Sequence, residues 1–223
     1  MNKIESGSIF KFVVPFGLGK AYCKLVDFSN ESKYDGITIK VYDYFQEDDI
    51  DDPVFFKNMP LFMNPLPIVK PPSLRGKYAW KKIGVLSEAA DVEIPIYKRG
   101  LYEGFGWDSY EKYSSQEWFA FVDLSNKIGP VPLGKVQHLE ELFWRSTVTI
   151  ELRVAMQLLR YRNVDVKEFL SANLEDAAWR IDYNTQMTIP LYKNIPEPIR
   201  GKPLIKGWVP DEYLNYDFGS IDM

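Results

Sequence analysis

Cysteine and histidine are almost absent from this chain. Its 223 residues contain one cysteine, Cys23, and one histidine, His138. A single cysteine excludes an internal disulfide, and one cysteine with one histidine cannot form a zinc site without several carboxylates. The two residues lie far apart in sequence, and no catalytic motif surrounds either of them. We therefore expect no metal site and no catalytic residue set.

Long apolar runs and an excess of basic residues are also missing. No stretch approaches the roughly 18 apolar residues that span a membrane, and the N-terminal sequence MNKIESGSIF lacks the apolar segment of a signal peptide. We therefore expect a cytoplasmic protein that does not bind membranes. The formal net charge of -4 argues against nucleic acid binding across a broad surface and favours a basic partner.

Apolar and aromatic residues, in contrast, are abundant. Hydrophobic residues make up 46% of the chain and aromatic residues 15%. This composition predicts a substantial buried core and fits one large domain or two small ones. Aromatic side chains serve equally well in a core, a carbohydrate platform or a protein interface, so their number alone does not indicate a function.

Alternating apolar residues predict a β-sheet in the first half of the chain. The strand patterns lie at 8–14, 21–27, 36–45, 77–85, 92–97 and 117–124, and the last of them is expected to be the final strand. The first three have short connections, which indicates an antiparallel meander. Six prolines between Pro53 and Pro72 exclude a central strand or a long helix there. Phe55, Phe56 and other apolar residues of this segment predict an ordered loop that crosses the sheet.

The segment 146–162, STVTIELRVAMQLLRYR, predicts a central helix. Its apolar side chains cover well over half of the circumference, so we expect other parts of the chain to pack around it. Glu151 projects into the apolar arc, where an ionised carboxylate is unfavourable unless it is paired. We predict that Glu151 is buried and held by a cation or by at least two hydrogen-bond donors, and we assign Glu151 and Arg153 as structural buried charges.

Shorter helices are predicted at 136–144, 166–170 and 174–181. Asp165 with Glu168 resembles a capping box for the second of these, and Asn173 is a candidate N-cap for the third. The tail from residue 183 onward is rich in proline, but its apolar residues predict that it docks on the rest of the chain.

These patterns together predict an α+β fold. We expect an N-terminal antiparallel β-sheet or partly open barrel, followed by a helical segment and a docked C-terminal tail. The expected parts are a β-rich part at 1–125, a helical part at 126–182 packed on it, and an extended tail at 183–223. We expect them to form one compact unit.

Gly129, Gly134 and Lys135 match the spacing of a phosphate-binding loop. The next residue is Val136, where such a loop needs a hydroxyl for magnesium. Pro130 and Pro132, which lie between the two glycines, also remove two backbone N–H groups that would hold phosphate. We therefore interpret the segment as a rigid turn and expect no ATP or GTP binding.

An acidic run follows the third predicted strand and consists of Glu47, Asp48, Asp49, Asp51 and Asp52. It lacks the central glycine and the terminal glutamate of a calcium loop, so it does not predict a metal site. One interpretation is a solvated loop. The other is a docking patch for a basic partner, in which clustered negative charge accelerates encounter and sets orientation.

Five short segments carry a family resemblance. They are Gly7-Ser8-Ile9-Phe10, Gly19-Lys20-Ala21-Tyr22 continuing to Leu25-Val26, Val41-Tyr42-Asp43, Trp80-Lys81-Lys82-Ile83-Gly84 and Ile150-Glu151-Leu152-Arg153. In this order they resemble the immunity protein 26 family, over roughly residues 7–160. The chain departs from the family pattern at Ser8, where an acidic residue is usual, and in its long extension after Arg162.

The resemblance implies a cytoplasmic bacterial immunity protein that is encoded beside a polymorphic toxin and neutralises the toxin by binding it. It implies a non-enzymatic inhibitor that requires no cofactor. We expect the partner to be a basic toxin domain. The candidate contact residues are those of the acidic run, Glu47, Asp48, Asp49, Asp51 and Asp52, together with the aromatic residues Trp107 and Tyr110.

A hydrolase or carbohydrate-binding module is the alternative. It would use aromatic platforms such as Trp107, Tyr110 and Tyr113, and a Glu151 carboxyl with a raised pKa. If Glu151 opens to a pocket with a second carboxylate, the enzyme is favoured. If Glu151 is sealed against an arginine, the binding protein is favoured.

Overall fold

The computed structural model describes residues 4–29, 36–46, 48–77, 79–88, 91, 93–100, 110–123, 126–175 and 179–219. Regular structure within these ranges comprises the strands β1 (Ser8–Val14), β2 (Gly19–Asp27), β3 (Ile37–Val41), β4 (Leu66–Ile68), β5 (Lys81–Val85), β6 (Tyr97–Gly100), β7 (Trp118–Phe121) and β8 (Lys127–Val131), and the helices α1 (Tyr110–Ser115), α2 (Thr147–Tyr161), α3 (Val166–Asn173) and α4 (Trp179–Thr188). Short turns of 3-10 helix connect several of these elements.

The fold is α+β, as predicted from the sequence. Five strands form an antiparallel sheet in the order β4-β3-β2-β1-β5, and three form a second antiparallel sheet in the order β6-β7-β8. The predicted meander of β1, β2 and β3 is confirmed, and β1 has the predicted bounds. The first sheet is an open sheet and not a closed barrel.

The chain divides into two compact units, each made of two segments. The first unit contains Met1–Ile94 and Phe143–Leu159, and the second contains Pro95–Leu142 and Arg160–Met223. This division does not follow the predicted boundaries after residues 125 and 182. The physical reason is that most of α2 belongs with the first sheet, because its apolar side chains share a core with the apolar face of that sheet.

In the first unit, α2 packs on one face of the five-stranded sheet. Alternate residues of β1 point toward it, so that Phe10 and Phe12 share a buried core with Ile150, Val154 and other residues of the helix. The opposite face is covered as well. A second buried cluster there contains Ile9, Tyr22, Tyr42 and Phe56. Buried clusters therefore lie on both faces of the five-stranded sheet.

In the second unit, the three-stranded sheet packs against the segment after β8. Trp118 and Ala120 share a core with Leu133, Val136 and Leu139. The C-terminal tail contributes a cluster of its own, built from the buried residues Ile195, Ile199, Leu204 and Val209. A backbone hydrogen bond of 2.8 Å from Leu204 N–H to the carbonyl oxygen of Lys135 ties the tail to this unit. The tail is docked, as its apolar residues predict.

Four predictions of secondary structure are wrong. The strand predicted at 92–97 is displaced to β6, which shares only Tyr97 with it. The strand at 117–124 is not the last one, because β8 follows it. The segment 136–144 is not a helix, because its backbone pairs with Lys98 of β6 instead. The Lys98 N–H donates to the carbonyl oxygen of Glu140, and the Leu142 N–H donates to the carbonyl oxygen of Lys98. The helix predicted at 174–181 is displaced to α4, and Asn173 ends α3. The cap of α3 is confirmed, since the Asp165 side chain accepts from Glu168 N–H at 2.8 Å.

Candidate functional site

The acidic run lies in a segment that crosses the face of the first sheet opposite α2. We call residues 48–56 the strap. The Tyr22 hydroxyl accepts a hydrogen bond of 2.8 Å from Ile50 N–H and donates one of 3.4 Å to the carbonyl oxygen of Asp48. Phe56, at the end of the strap, is buried and stacks on Tyr22 with ring centroids 4.7 Å apart. Both ends of the strap are therefore fixed to β2.

Lysines of the sheet hold two of the acidic side chains. Lys11 lies 2.9 Å from the carboxylate of Asp49, and Lys20 also donates to it. Lys81 donates to Asp51 at 2.7 Å. The hydrogen bonds from Lys20 and then Lys11 lower the pKa of Asp49 to about 2, and the hydrogen bond from Lys81 lowers the pKa of Asp51. The charges of Asp49 and Asp51 are thus offset within the chain itself.

The remaining acidic residues of the run differ from one another. Asp52 caps a turn of 3-10 helix, since its side chain accepts from Val54 N–H at 2.9 Å. The carboxylate of Asp48 makes no hydrogen bond or ion pair within the described part of the chain, and Asp48 is exposed. Glu47 lies outside the described residues. Among the described residues of the run, Asp48 is therefore the one whose carboxylate is available to a partner.

The two aromatic residues predicted at the interface are not described. Trp107 lies outside the described residues, and Tyr110 begins α1 but its side chain is outside them too. Sequence reasoning missed two other aromatic residues, Tyr44 before the strap and Phe55 within it. Tyr44 is half-buried, and 44% of Phe55 is exposed. Phe55 and Phe56 lie in the predicted loop that crosses the sheet, but only Phe56 is buried. The acidic run followed by a Phe-Phe pair is the signal that could have located this surface.

Glu151 differs from its prediction. Its side chain is half-buried, and the Trp80 indole N–H donates to it at 2.6 Å. Burial raises the pKa of the Glu151 carboxyl, and the Trp80 hydrogen bond opposes that rise. Neither predicted arrangement, a cationic partner or two hydrogen-bond donors, is found within the described residues, where the neutral Trp80 indole is the only donor to the Glu151 carboxylate. Arg153, two residues later on α2, is fully buried.

Replacing Glu151 with alanine is expected to lower the free energy of unfolding by about 1 to 3 kcal/mol, because the buried Trp80 N–H loses its acceptor. Glu151→Gln is the matched control. Its amide oxygen can still accept from Trp80, so it should stay within about 0.5 kcal/mol of the wild type. Urea denaturation of both variants measures the difference. Equal losses in the two variants would contradict the role given to this hydrogen bond.

Two arrangements of Glu151 were expected to distinguish an enzyme from a binding protein: a pocket with a second carboxylate, or a seal against an arginine. The surroundings of Glu151 match neither. Burial raises its pKa, the Trp80 hydrogen bond lowers it, and no carboxylate is among the causes. An arginine does not seal it within the described residues. Tyr113 is not an aromatic platform, because it is buried and its hydroxyl donates to Glu141 at 2.8 Å.

Lys135 has a structural partner. Its ammonium group donates to the carbonyl oxygen of Leu214 and lies 3.2 Å from the side-chain oxygen of Asn215, both in the C-terminal tail. Gly134 and Lys135 lie in a single turn of 3-10 helix. A phosphate-binding loop needs an α-helix at this point, and the next residue, Val136, has non-helical backbone angles. The geometry is that of a turn that anchors the tail.

A second charged cluster lies on the same face of the sheet as the strap. Lys24 and Lys40 stand opposite one another on β2 and β3, and both are buried. Asp91 lies 2.9 Å from Lys24 and 3.4 Å from Lys40, and Glu88 pairs with Lys24 as well. Burial lowers the pKa of Lys40 although Asp91 opposes that shift. Because these lysines are enclosed, we assign the cluster a structural role.

No family model, no curated protein and no solved structure matches this chain. Among the residues that the structure describes, no group of three or more His, Cys, Asp or Glu side chains could hold a metal ion. The helices in the described ranges are all too short or too polar to cross a membrane.

Proposed function

We propose that this chain is a bacterial immunity protein that binds and neutralises a toxin domain encoded beside it, in the cytoplasm of the producing cell. The observation that carries the proposal is the strap, an exposed acidic segment fixed by Tyr22, Phe56 and lysines of three strands. A surface that is already ordered loses little conformational entropy on binding, which favours high affinity.

The family resemblance supports the same function. Lys20 and Lys81, which hold Asp49 and Asp51 in place, both lie in segments that resemble immunity protein 26 sequences. Tyr22, which fixes the strap through Asp48 and Ile50, lies in one of these segments too. The resembling segments therefore include three residues that hold the strap in place.

The net charge of the strap indicates which kind of partner it binds. Lys11, Lys20 and Lys81 offset much of the negative charge of the strap, so it is less acidic than its sequence indicates. Within the described part of the chain the carboxylate of Asp48 has no partner, and the whole chain carries a net charge of -4. The surface therefore attracts a basic toxin domain, and Asp48 contributes more to this attraction than the paired aspartates.

Replacing Asp48 with asparagine should slow association with the neighbouring toxin domain by about two- to fivefold at low salt. Stopped-flow binding at low and high salt measures both rates. Asp48 has no partner within the described residues, so folding should be unaffected. Asp211→Asn, an exposed residue of the second unit, is the matched control. Equal association rates for the two variants would remove Asp48 from the proposed interface.

A hydrolase or carbohydrate-binding module remains the second candidate. One observation favours it: Glu151 is half-buried beside Trp80 and has a raised pKa, as a general acid requires. Glycoside hydrolysis needs a second carboxylate at about 5 to 10 Å, and none affects the pKa of Glu151. The test is turnover of a panel of aryl glycosides by the wild type and by Glu151→Gln. Turnover that the substitution abolishes would establish this candidate.

A further inference from the structure

Two partly exposed aromatic rings lie at the strap, Phe55 within it and Tyr44 before it. Phe55 is 44% exposed, and its ring meets that of Tyr44 edge to face, with centroids 5.2 Å apart. Val54, the preceding residue, is 59% exposed. Phe56 supports the pair from below, since it is buried and also meets Tyr44 edge to face at 6.1 Å. The rings are thus held in place while part of their surface stays open.

The backbone of Asp48 is linked to this aromatic pair. Tyr22 connects the two, because its ring contacts Tyr44 at 5.7 Å and its hydroxyl donates to the backbone carbonyl of Asp48. Burial and then the charge of Asp48 raise the pKa of the Tyr44 hydroxyl. Asp49, Asp51 and Asp52 are engaged elsewhere, so among the described residues of the run Asp48 has the carboxylate that can act together with the rings.

We propose that Asp48, Tyr44 and Phe55 form a binding site for an arginine side chain of the toxin domain, and that this arginine anchors the complex. The inference rests on the proposed function for the identity of the partner, whereas the chemistry of the site follows from the three side chains. A guanidinium group suits the site because its plane stacks on aromatic faces and its N–H groups donate to a carboxylate. Arginine and tyrosine are also enriched among the residues that dominate binding energy in protein interfaces.

The first experiment uses a small probe in place of the toxin. N-acetyl-arginine methylamide is titrated into the full chain, and the ring signals of Tyr44 and Phe55 are followed by NMR. The same titration with the citrulline analogue, which has the same shape and no charge, is the control. The arginine probe should shift both ring signals saturably, and citrulline should not. Equal shifts with the two probes, or shifts only elsewhere in the chain, would overturn the proposal.

Single substitutions test the contributions of the Asp48 carboxylate and of the aromatic rings separately. Asp48→Asn and Phe55→Leu should each weaken binding of the arginine probe by about three- to tenfold, whereas Asp211→Asn, which removes an exposed carboxylate of the second unit, should leave it nearly unchanged. Each variant's thermal unfolding is measured alongside, to establish that it is folded. Undiminished probe binding by folded Asp48→Asn and Phe55→Leu would contradict the site.

The second experiment uses the neighbouring toxin domain. The double variant Asp48→Asn with Phe55→Leu should dissociate from the toxin domain at least about tenfold faster than the wild type. If the toxin domain binds the wild type and the double variant equally well, the immunity function stands and the arginine site is wrong. If the arginine probe binds but the toxin domain does not, the site stands and the proposed function fails.

Discussion

Replacing Asp91 with asparagine should lower the free energy of unfolding by about 3 to 5 kcal/mol, as the loss of one partner in a buried ion pair usually does. Asp91 is the shared partner of Lys24 and Lys40, at 2.9 and 3.4 Å. The two lysines are buried and directly opposite one another on adjacent strands. When Asp91 is neutral, its attraction no longer balances the repulsion between the two lysine charges across the sheet.

Urea denaturation at neutral pH measures this loss, and two further variants test its cause. Asp211→Asn removes an exposed carboxylate and should change stability by less than about 0.5 kcal/mol. Lys40→Met in the Asp91→Asn background removes one of the two opposed charges and should recover part of the loss. If Asp91→Asn is as stable as the wild type, or if Lys40→Met destabilises it further, the charge cluster does not have the assigned role.

The sequence predicts the first sheet and α2 well because their patterns are strong and local. In β1, Phe10 and Phe12 alternate with Ile9 and Lys11, and this pattern separates the two faces as observed. The apolar arc of α2 likewise predicts a helix that is covered by other parts of the chain. Such periodic segments need no knowledge of the tertiary fold.

The lysines of the first sheet could not be predicted to be buried. Lys11, Lys24 and Lys40 occupy alternate positions on β1, β2 and β3, as on a solvated face. Only the tertiary fold brings the strap and the segment with Glu88 and Asp91 over them. Sequence alternation shows which residues share a face, but it does not show whether another layer covers that face. For the same reason, the acidic run resembled a free docking patch although two of its carboxylates are used internally.

Long-range backbone pairing explains the helix that is missing at 136–144. The segment has apolar residues at helical spacing, among them Val136, Leu139 and Leu142. However, its carbonyl at Glu140 and its N–H at Leu142 bond to the edge strand β6 through Lys98. Pairing with a strand distant in sequence overrides local propensity here. Glu151 was misjudged for a similar reason, since its partner Trp80 lies 71 residues away.

Acidification from about pH 6.5 to about pH 4 should cost the second unit roughly 3 kcal/mol through the single histidine, His138. The ring is buried and stacks on Phe218 with centroids 4.8 Å apart. Its Nε2 lies 2.6 Å from the carbonyl oxygen of Lys202, and it therefore carries the proton of the neutral ring. Burial lowers the pKa of His138 to about 4, helped by the charge of Lys98 and opposed by the backbone of Lys202 and Ile199.

The direction follows from where the proton binds. In the unfolded chain His138 titrates near its usual pKa of 6.5, and in the folded chain near 4, so between these values the unfolded state binds more protons. The stability due to the neutral ring is complete above pH 6.5 and falls as the pH drops toward 4. Because Phe218 and Lys202 belong to the docked tail, the tail should be the part that loosens, which hydrogen exchange of residues 199–219 can follow.

Comparison with His138→Gln isolates this effect from the carboxylates that titrate in the same range. Glutamine is neutral at every pH and its amide can donate to Lys202, so the variant should lose the extra acid sensitivity between pH 6.5 and 4. The measurement is the difference between the two proteins in free energy of unfolding at several pH values. The chain has one histidine, so the pKa itself can be read from its ring proton signal by NMR. A pKa near 6.5 in the folded protein, or parallel stability curves for the two proteins, would show that acid does not act on the docked tail through His138.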